Sequence, residues 1–335
     1  MDIVVSGATG FIGYNLIRHL SQRGFKVSGL VRNPGKASLL TQWGVTPIFA
    51  DLQDVDKLRK LLRGADMVFH LAALRGEGPW TWEEVYRVNV KGTENLLKAC
   101  LHQVGRFIYG SSVSVLGHFQ HGPAREDYPY APVNNYGRSK VAAEELVLRY
   151  HREQGLPVTL LRPVITYGPY DESGMMTKLI RLIHQGKYLT VGSGNNRVHL
   201  VYIDDLIQGL ERAMTRSEAV GEAFIIAGEK PITVNELVSQ VALILGKKVP
   251  SLHVPRRVAR TVGFCLEKIF AVGASARIPF FKKEPFCTRS KVDIMTVDRS
   301  YSIEKAKKLL GYQPQVGYEE GIPRTIEWLK TVQGI

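Results

Sequence analysis

Residues 7–13 of this chain of 335 residues have the sequence Gly7-Ala8-Thr9-Gly10-Phe11-Ile12-Gly13. They follow an apolar run, residues 3–5, that is typical of a buried parallel strand, and they precede an amphipathic stretch from Tyr14 to Arg23. Glycines allow a tight turn and the close approach of a pyrophosphate, and a helix N-terminus offers free N–H groups to an anion. In this context of strand, turn and helix, the glycines predict a dinucleotide-binding site.

Alternating patterns along the chain extend this unit into an α/β fold. Strand-like runs lie near 2–6, 26–31, 45–50, 67–71, 106–111 and 158–162, and helical patterns lie near 12–23, 54–63, 82–103 and 135–154. This alternation predicts a Rossmann-type, doubly wound parallel sheet with a smaller C-terminal substrate lobe. The chain leaves the sheet after Pro163 and returns around 198–224. We expect residues 1–165 and 196–228 to form the dinucleotide-binding domain, and residues 166–195 and 229–335 to form the lobe.

A tyrosine and a lysine lie four residues apart, as Tyr136 and Lys140, at the head of a helical pattern. At that spacing both side chains share one helix face, where an ammonium would favour the phenolate and lower the phenol pKa from about 10. Upstream, a strand-like run ends in Ser111 and Ser112, and ligands of open α/β sheets bind at that end of the strands. A lone Tyr-x-x-x-Lys is typical of a solvated helix face, but the glycine turn and the serines favour a catalytic pair.

With these motifs in order, the chain resembles the extended short-chain dehydrogenase/reductase family, within the NAD-dependent epimerase/dehydratase superfamily. The resemblance covers nearly the whole chain. It rests on GATGFIG at 7–13, Ala50-Asp51-Leu52, His70-Leu71-Ala72-Ala73, Asn89 in VNVKGTENLL, YGSSVSVLG at 109–117, YGRSK at 136–140, Leu161-Arg162-Pro163, Tyr167-Gly168-Pro169 and residues 201–206.

The resemblance implies a role for each matched residue. Tyr136 would be the general base in oxidation and the general acid in reduction, and Lys140 would lower its pKa and hold the nicotinamide ribose. Ser112, which keeps the family's spacing to Gly117, would hydrogen-bond the reacting oxygen, and Asn89 would position a helix. The remaining contacts to the cofactor would come from Gly7, Thr9, Gly10, Phe11, Ile12, Gly13, Asp51, Leu52, Leu71, Ala72, Ala73 and Pro163, together with Tyr136 and Lys140.

The end of the second strand bears on the choice of cofactor. A site for NAD usually carries an acidic residue there to bind the ribose 2′-hydroxyl, but this chain has Arg32, with Lys36 just beyond it. A guanidinium suits a 2′-phosphate through bidentate hydrogen bonds, so the sequence favours NADP(H). The alternative is that Arg32 stacks on the adenine of an enzyme that also accepts NAD(H).

Composition agrees with an enzyme of the cytoplasm. The chain is 44% hydrophobic, which is enough for a large core, and its three cysteines lack metal-like spacing and are expected to be reduced thiols. No signal peptide or membrane-spanning apolar stretch is evident in the sequence. His118 and His121 have no acid or thiol partner, so we predict no metal site.

Residues 251–292 hold nine Lys or Arg against two Glu, a net +7 of the chain's +13. A helical wheel of 256–273 gathers the basic side chains on one arc, with Phe264 among them, and apolar side chains on the other. One interpretation is a helix packed on the lobe surface. The other is peripheral contact with an anionic membrane through 256–292. The shared apolar face and the lack of a nucleic-acid-binding motif exclude nucleic acid as the expected partner.

The C-terminal part is similar to the 3β-hydroxysteroid dehydrogenase-like branch of the family. The matching stretches are 284–289, 297–306 and 310–314, and Leu116 replaces a tyrosine that epimerases commonly carry. The branch implies the interconversion of a secondary alcohol and a ketone on a sterol-like or other bulky apolar substrate. It includes sterol-4-carboxylate dehydrogenases and reductases of long-chain 3-keto acids. A sugar-nucleotide epimerase or dehydratase with the same triad is one alternative, and a non-catalytic cofactor sensor is another. The family also implies a homodimer formed through the helices near 82–103 and 135–154.

Overall fold

A computed structural model describes residues 1–75, 80–119, 122–275, 285 and 287–334. Its strands are β1 (Asp2–Ser6), β2 (Lys26–Val31), β3 (Thr46–Phe49), β4 (Met67–His70), β5 (Arg106–Gly110), β6 (Val158–Pro163), β7 (Ile165–Tyr167), β8 (Thr190–Val191), β9 (Arg197–Val198), β10 (Leu200–Tyr202), β11 (Ala223–Ile226), β12 (Ile232–Thr233) and β13 (His253–Val254).

The α-helices are α1 (Phe11–Gln22), α2 (Ser38–Thr41), α3 (Val55–Leu61), α4 (Trp82–Val85), α5 (Gly92–Cys100), α6 (Asn135–Gln154), α7 (Met175–His184), α8 (Ile203–Thr215), α9 (Val234–Ile244), α10 (Arg256–Ser275), α11 (Arg289–Thr296) and α12 (Tyr318–Gln333). A π-helical turn, Tyr86–Lys91, joins α4 to α5. The helix predicted near 82–103 therefore runs without a break from Trp82 to Cys100, with a wider turn in its middle.

The central sheet has seven strands in the order β11-β6-β5-β4-β1-β2-β3, and every pair in it is parallel. The direction of winding reverses between β1 and β4, which is the switch point where open parallel sheets bind ligands. Runs such as Val4-Val5 in β1 and Phe107-Ile108 in β5 are buried on both faces because helices cover both sides of the sheet. The predicted fold class, a Rossmann-type doubly wound sheet, is confirmed.

Two hydrophobic clusters lie on opposite faces of this sheet. One packs α1 and α8 beneath the strands and continues into the C-terminal elements, where Tyr312 and Ile322 are fully buried. The other packs α3, α5 and α6 against the opposite face, with Phe107 and Val158 at its centre. Residues 203–226 supply α8 and the edge strand β11, so the chain does return to the sheet.

The elements outside the main sheet are short strand pairs and helices. The pairs are β7 with β10, β8 with β13 and β9 with β12, and α7, α9, α10, α11 and α12 lie beside them. In the chain they follow β6 or β11 of the main sheet, in the regions where the sequence predicts the substrate lobe. The exact division of the chain into two domains stays a prediction. No helix among the residues with described positions is long and apolar enough to cross a membrane.

Candidate active site

The glycine turn between β1 and α1 makes a backbone cradle. Gly7 has a φ of +74°, and a Cβ on it would lie 2.7 Å from the Ala72 nitrogen. A Cβ on Gly13 would lie 2.2 Å from the Gly7 carbonyl oxygen. The loop is therefore pressed against both α1 and the end of β4, and only glycine fits at these two positions. The first N–H groups of α1 have no partner within the helix, and this arrangement suits a pyrophosphate.

A cavity of about 400 Å³ opens in front of this turn. The structure brings fifteen of the sixteen predicted site residues to its wall: Gly7, Thr9, Gly10, Phe11, Ile12, Gly13, Arg32, Asp51, Leu52, Leu71, Ala72, Ala73, Tyr136, Lys140 and Pro163. Ser111 lines the cavity too, and its side-chain oxygen is buried without a protein partner. A glycine-backed cleft with a mainly apolar wall and a few polar groups, among them an unpaired hydroxyl, fits a dinucleotide.

Tyr136 lies in the first turn of α6. The Asn134 side chain begins this helix by accepting a hydrogen bond of 2.8 Å from the Gly137 nitrogen, which is the usual function of an N-cap residue. Burial raises the pKa of Tyr136 above 10, and a hydrogen bond from Ser112 and the charge of Arg75 oppose that rise. At neutral pH the phenol therefore holds its proton.

Lys140 lies one helical turn later and is only 2% exposed. Its ammonium donates to the Gly110 carbonyl oxygen at 2.7 Å and to the Tyr109 hydroxyl at 3.3 Å. Burial lowers the pKa of Lys140 to about 7, and the nearby Glu144 carboxylate opposes that change. The ammonium lies 5.9 Å from the centre of the Tyr136 ring. In this structure Ser112 and Arg75, rather than Lys140, lower the Tyr136 pKa, because the lysine points to the end of β5.

Two neighbouring serines take different positions at the end of β5. Ser112 lowers the pKa of Tyr136 and accepts a hydrogen bond of 3.1 Å from the Ser114 nitrogen. Ser111 lines the cavity instead. The sequence places both serines at the carboxyl end of this strand, and the spacing to Gly117 favours Ser112 over Ser111 as the catalytic serine.

The amide of Asn89 ties the loop after β4 to α6. It accepts from the Leu74 nitrogen at 2.7 Å and donates to the Leu74 carbonyl oxygen at 3.0 Å. It also donates to the Ser139 hydroxyl at 2.9 Å, and that hydroxyl donates to the Tyr136 carbonyl oxygen at 2.7 Å. Asn89 lies in the π-helical turn, a feature that is frequent at functional sites.

Arg75 is a charged residue of the cavity wall that the sequence did not indicate. It lies two positions after Ala73, lines the cavity, and donates from Nη2 to the Ser173 hydroxyl at 3.2 Å. No motif contains it, so only its nearness to the end of β4 could have indicated it. Leu74, Val88, Leu206 and Leu210 add an apolar part to the cavity wall.

The other singled-out residues have ordinary surroundings. Arg32 and Lys36 are exposed at the end of β2 and line the cavity, while Asp51 caps a turn by accepting from the Gln53 nitrogen at 2.9 Å. His70 is buried between Ser6 and Thr93, and burial lowers its pKa to about 3.

Of the two loop histidines that the sequence analysis considered, the structure describes only the first. His118 is exposed, and partial desolvation lowers its pKa. His121 lies outside the described residues. Among those described, no group of three or more potential metal ligands occurs.

The basic helix α10 is not oriented as its helical wheel suggested, with the apolar arc packed on the lobe. Ala259, Gly263 and Gly273 face the protein, whereas the apolar stripe Val258, Val262, Cys265, Ile269 and Val272 faces outward. A Cβ on Gly263 would lie 2.9 Å from the Arg289 nitrogen, so close packing on α11 fixes this orientation. Phe264 lies between the cations of Lys268 and Arg289, at 5.7 and 5.1 Å from its ring centre. Residues 276–284 and 286 of this segment lie outside the described residues.

A glycine turn at the switch point of a parallel sheet, beside a Ser–Tyr–Lys group, is the arrangement of a dinucleotide-dependent enzyme of the extended short-chain type. The chain belongs to the NAD dependent epimerase/dehydratase family, whose model matches residues 3–227. The predicted resemblance is thus confirmed.

Named relatives belong to both branches that the sequence left open. The chain is 31% identical to 3beta-hydroxysteroid-dehydrogenase/decarboxylase isoform 1 of Arabidopsis thaliana, over 97% of this chain and 78% of that protein. It is 31% identical to 2-alkyl-3-oxoalkanoate reductase of Stenotrophomonas maltophilia, over 97% and 98%. A crystal structure of UDP-glucuronic acid 4-epimerase from Bacillus cereus, with UDP-glucuronic acid and NAD, superposes with a TM-score of 0.79 at 26% identity, over 99% of this chain and 100% of that one.

Proposed function

We propose that the protein interconverts a secondary alcohol and a ketone on a bulky, largely apolar substrate, with NADP(H) as the preferred cofactor. The placement of Tyr136 and Lys140 one turn apart on α6, both at the cavity wall beside the glycine cradle, carries this proposal. The Arabidopsis and Stenotrophomonas relatives add support, since their names describe an oxygen function at carbon 3 of a steroid or of an alkanoate.

The bound nicotinamide would give or accept the hydride at the substrate carbon. The protein's own residues would transfer the proton and bind the reacting oxygen. In reduction, the neutral Tyr136 phenol donates its proton to the ketone oxygen, and the Ser112 hydroxyl donates a hydrogen bond to that same oxygen. In oxidation the phenolate takes the proton of the alcohol. Lys140, already drawn to the end of β5, would hold the ribose hydroxyls.

The preference for NADP(H) is inferred from the two cations at the end of β2. Arg32 and Lys36 both line the cavity, and the only carboxylate on its described wall is Asp51, at the end of β3. Replacing Arg32 with alanine should lower kcat/KM for NADP⁺ by about 10- to 100-fold, because a charged hydrogen bond to phosphate is lost. The value for NAD⁺ should change little. Equal losses with both cofactors would refute the preference.

The function is tested by absorbance at 340 nm. Purified protein is mixed with NADP⁺ or NAD⁺ and, in parallel, with 3β-hydroxysteroids, methyl esters of long-chain 3-hydroxy acids, or UDP-sugars. Net reduction by an apolar alcohol supports the proposal. An epimerised sugar without net reduction would identify the epimerase alternative instead. Tight cofactor binding without turnover of any substrate would favour a sensor.

An anionic membrane surface is the partner that we propose for helix α10. Its outward stripe is strongly exposed, at 53% for Ile269 and 71% for Val272. Arg257 and Lys268 are exposed on the same helix and provide charges that complement acidic lipid headgroups. A bulky apolar substrate would be met at such a surface.

Flotation with phosphatidylglycerol vesicles tests this contact. The double variant Val262→Glu/Ile269→Glu should lose binding, whereas Leu243→Glu/Val332→Glu, which charges two exposed apolar residues elsewhere, should keep it. Equal flotation of both variants would refute the contact. So would a change in oligomeric state, seen by sedimentation, that is confined to the stripe variant, because the stripe would then bind a second copy.

A further inference from the structure

A chain of buried hydrogen bonds runs through His70, the last residue of β4. The Ser6 hydroxyl lies 2.6 Å from His70 Nδ1, and the Thr93 hydroxyl lies 2.9 Å from His70 Nε2. The Thr93 hydroxyl also donates to the Asn89 carbonyl oxygen at 2.6 Å. All four residues are at most 1% exposed, so water does not compete for these groups.

The direction of each hydrogen bond in this chain follows from the groups themselves. A carbonyl oxygen only accepts, so the one hydroxyl hydrogen of Thr93 is used on Asn89. Thr93 must then accept from His70, which places the imidazole hydrogen on Nε2. Burial lowers the pKa of His70 to about 3, so the ring is neutral and its Nδ1 accepts from the Ser6 hydroxyl. A single tautomer of His70 thus satisfies both neighbours.

The two ends of this chain lie at the two halves of the active site. Ser6 is the last residue of β1 and directly precedes the glycine turn at 7–13. At the other end, the Asn89 amide donates to the Ser139 hydroxyl at 2.9 Å, and that hydroxyl donates to the Tyr136 carbonyl oxygen at 2.7 Å. The strand before the cofactor cradle is therefore connected to the first turn of α6 through buried polar groups. A fully satisfied network of this kind makes its surroundings rigid.

We propose that His70 is a positioning residue: by holding Thr93, and through it the turn that carries Asn89, it keeps the Tyr136 hydroxyl at the distance from the bound cofactor that the reaction requires. This inference rests on the proposed function, and it gives His70 no chemical step. A displacement of about 1 Å at a reacting group can lower a rate by about 100-fold. The alternative is that His70 only fills space, since its ring packs on Phe107 and Tyr109 at centroid distances of 5.9 and 5.7 Å.

The test separates the two ring nitrogens of His70. Asparagine carries its amide group near the place of Nδ1, and glutamine carries its amide nitrogen near the place of Nε2. His70→Asn can therefore keep the bond to Ser6, and His70→Gln can keep the bond to Thr93. Both variants lose the ring contacts, so a comparison between them cancels the loss of packing.

Oxidation of an apolar secondary alcohol with saturating NADP⁺ is followed at 340 nm, and NADPH binding is measured by fluorescence titration. We expect His70→Asn to lower kcat by about 10- to 100-fold with NADPH affinity within about threefold of native, and His70→Gln to lower kcat by less than about threefold. A second pair repeats the comparison at Thr93. Thr93→Val, which removes the hydroxyl but keeps the shape, should behave as His70→Asn does, and Thr93→Ser should stay near native.

His199 supplies the matched control, because it is also buried and bonded at both ring nitrogens. Its Nε2 lies 2.9 Å from the Gly228 oxygen, and its Nδ1 accepts from the Tyr301 nitrogen at 3.2 Å. Neither partner belongs to α6 or to the cavity wall. His199→Asn should therefore lower stability but keep the native kcat.

Each other result has one meaning. Equal kcat in His70→Asn and His70→Gln would overturn the inference, because the bond to Thr93 would then not matter. A loss confined to NADPH affinity would overturn it too, since His70 would then serve only the cradle. If the native protein oxidises no alcohol, the proposed function fails, and amide hydrogen exchange at 135–142 decides the inference alone. Faster exchange in His70→Asn, but not in His70→Gln or His199→Asn, would support it, and unchanged exchange would overturn it.

Discussion

Replacing the buried Lys140 by methionine should make the protein more stable near neutral pH, although it should abolish activity. Burial lowers the pKa of Lys140 from 10.5 to about 7, so the unfolded chain binds the proton more tightly by roughly 3.5 pK units. At about 1.36 kcal/mol for each unit, the charged lysine costs the folded state about 5 kcal/mol at pH 7 and below. Methionine avoids this cost but loses the hydrogen bonds to Gly110 and Tyr109, worth about 1–3 kcal/mol together.

The sign of the pH dependence is set by the same two pKa values. Between pH 7 and 10.5 the unfolded Lys140 is protonated and the folded one is largely not, so the unfolded state binds more protons. The stability of the native protein should therefore rise, relative to Lys140→Met, by about 1.4 kcal/mol per pH unit in this window. The variant should be about 2–4 kcal/mol more stable at pH 6.5, and its advantage should disappear near pH 9.

Urea unfolding without added nucleotide, monitored by tryptophan fluorescence between pH 6.5 and 9.5, measures this difference. Lys57→Met is the matched control for replacing a lysine by methionine, because Lys57 is exposed on α3. A pH-independent difference for Lys140→Met would refute the reasoning, because Lys140 would then titrate alike in both states.

Three further substitutions test other parts of the site. Ser112→Ala removes a hydrogen bond that lowers the pKa of Tyr136, so the rise of the oxidation rate with pH should move to higher pH; an unchanged profile of kcat/KM would contradict this. Gly13→Ala places a Cβ 2.2 Å from the Gly7 oxygen and should weaken NADPH binding, measured by fluorescence titration, by tenfold or more, whereas native affinity would mean that the loop yields. Glu144→Gln leaves the buried Arg162, now 2.7 Å from Glu144 Oε2, without its carboxylate and should lower the free energy of unfolding by about 3–5 kcal/mol; a loss below about 1 kcal/mol in urea unfolding would argue against a buried charge.

The sheet could be predicted because its signals are local. Each strand is a short apolar run that ends near a glycine or a polar residue, and the turn at 7–13 indicates that the first strand leads directly into a helix. The helical pattern near 82–103 did not indicate the π-helical turn at 86–91. The sequence also did not indicate which face of α10 points outward. Its orientation depends on Gly263 meeting the start of α11, a contact between positions 26 residues apart.

The cavity residues also fall into two groups, those that sequence motifs indicate and those that contacts between distant parts of the chain bring to the site. Tyr136, Lys140 and the glycines belong to spaced motifs, so their sequence positions alone predict that they share one site. Arg75 lies outside every motif, and its approach to Tyr136 depends on the bonds of Asn89 to Leu74 and Ser139. The direction of the Lys140 side chain depends on a carbonyl oxygen at the end of β5. Such contacts between distant parts of the chain leave no periodic trace in the sequence.

The most direct test of the account is the oxidation of an apolar secondary alcohol by the native protein and by Tyr136→Phe, measured at 340 nm with saturating NADP⁺. Fluorescence titration of NADPH is run alongside, because Phe keeps the ring but removes the hydroxyl that Ser112 contacts. The account predicts a loss of kcat of at least about 100-fold with nearly unchanged NADPH affinity. Tyr136→Phe activity within a fewfold of native would contradict the central claim that this hydroxyl transfers the proton.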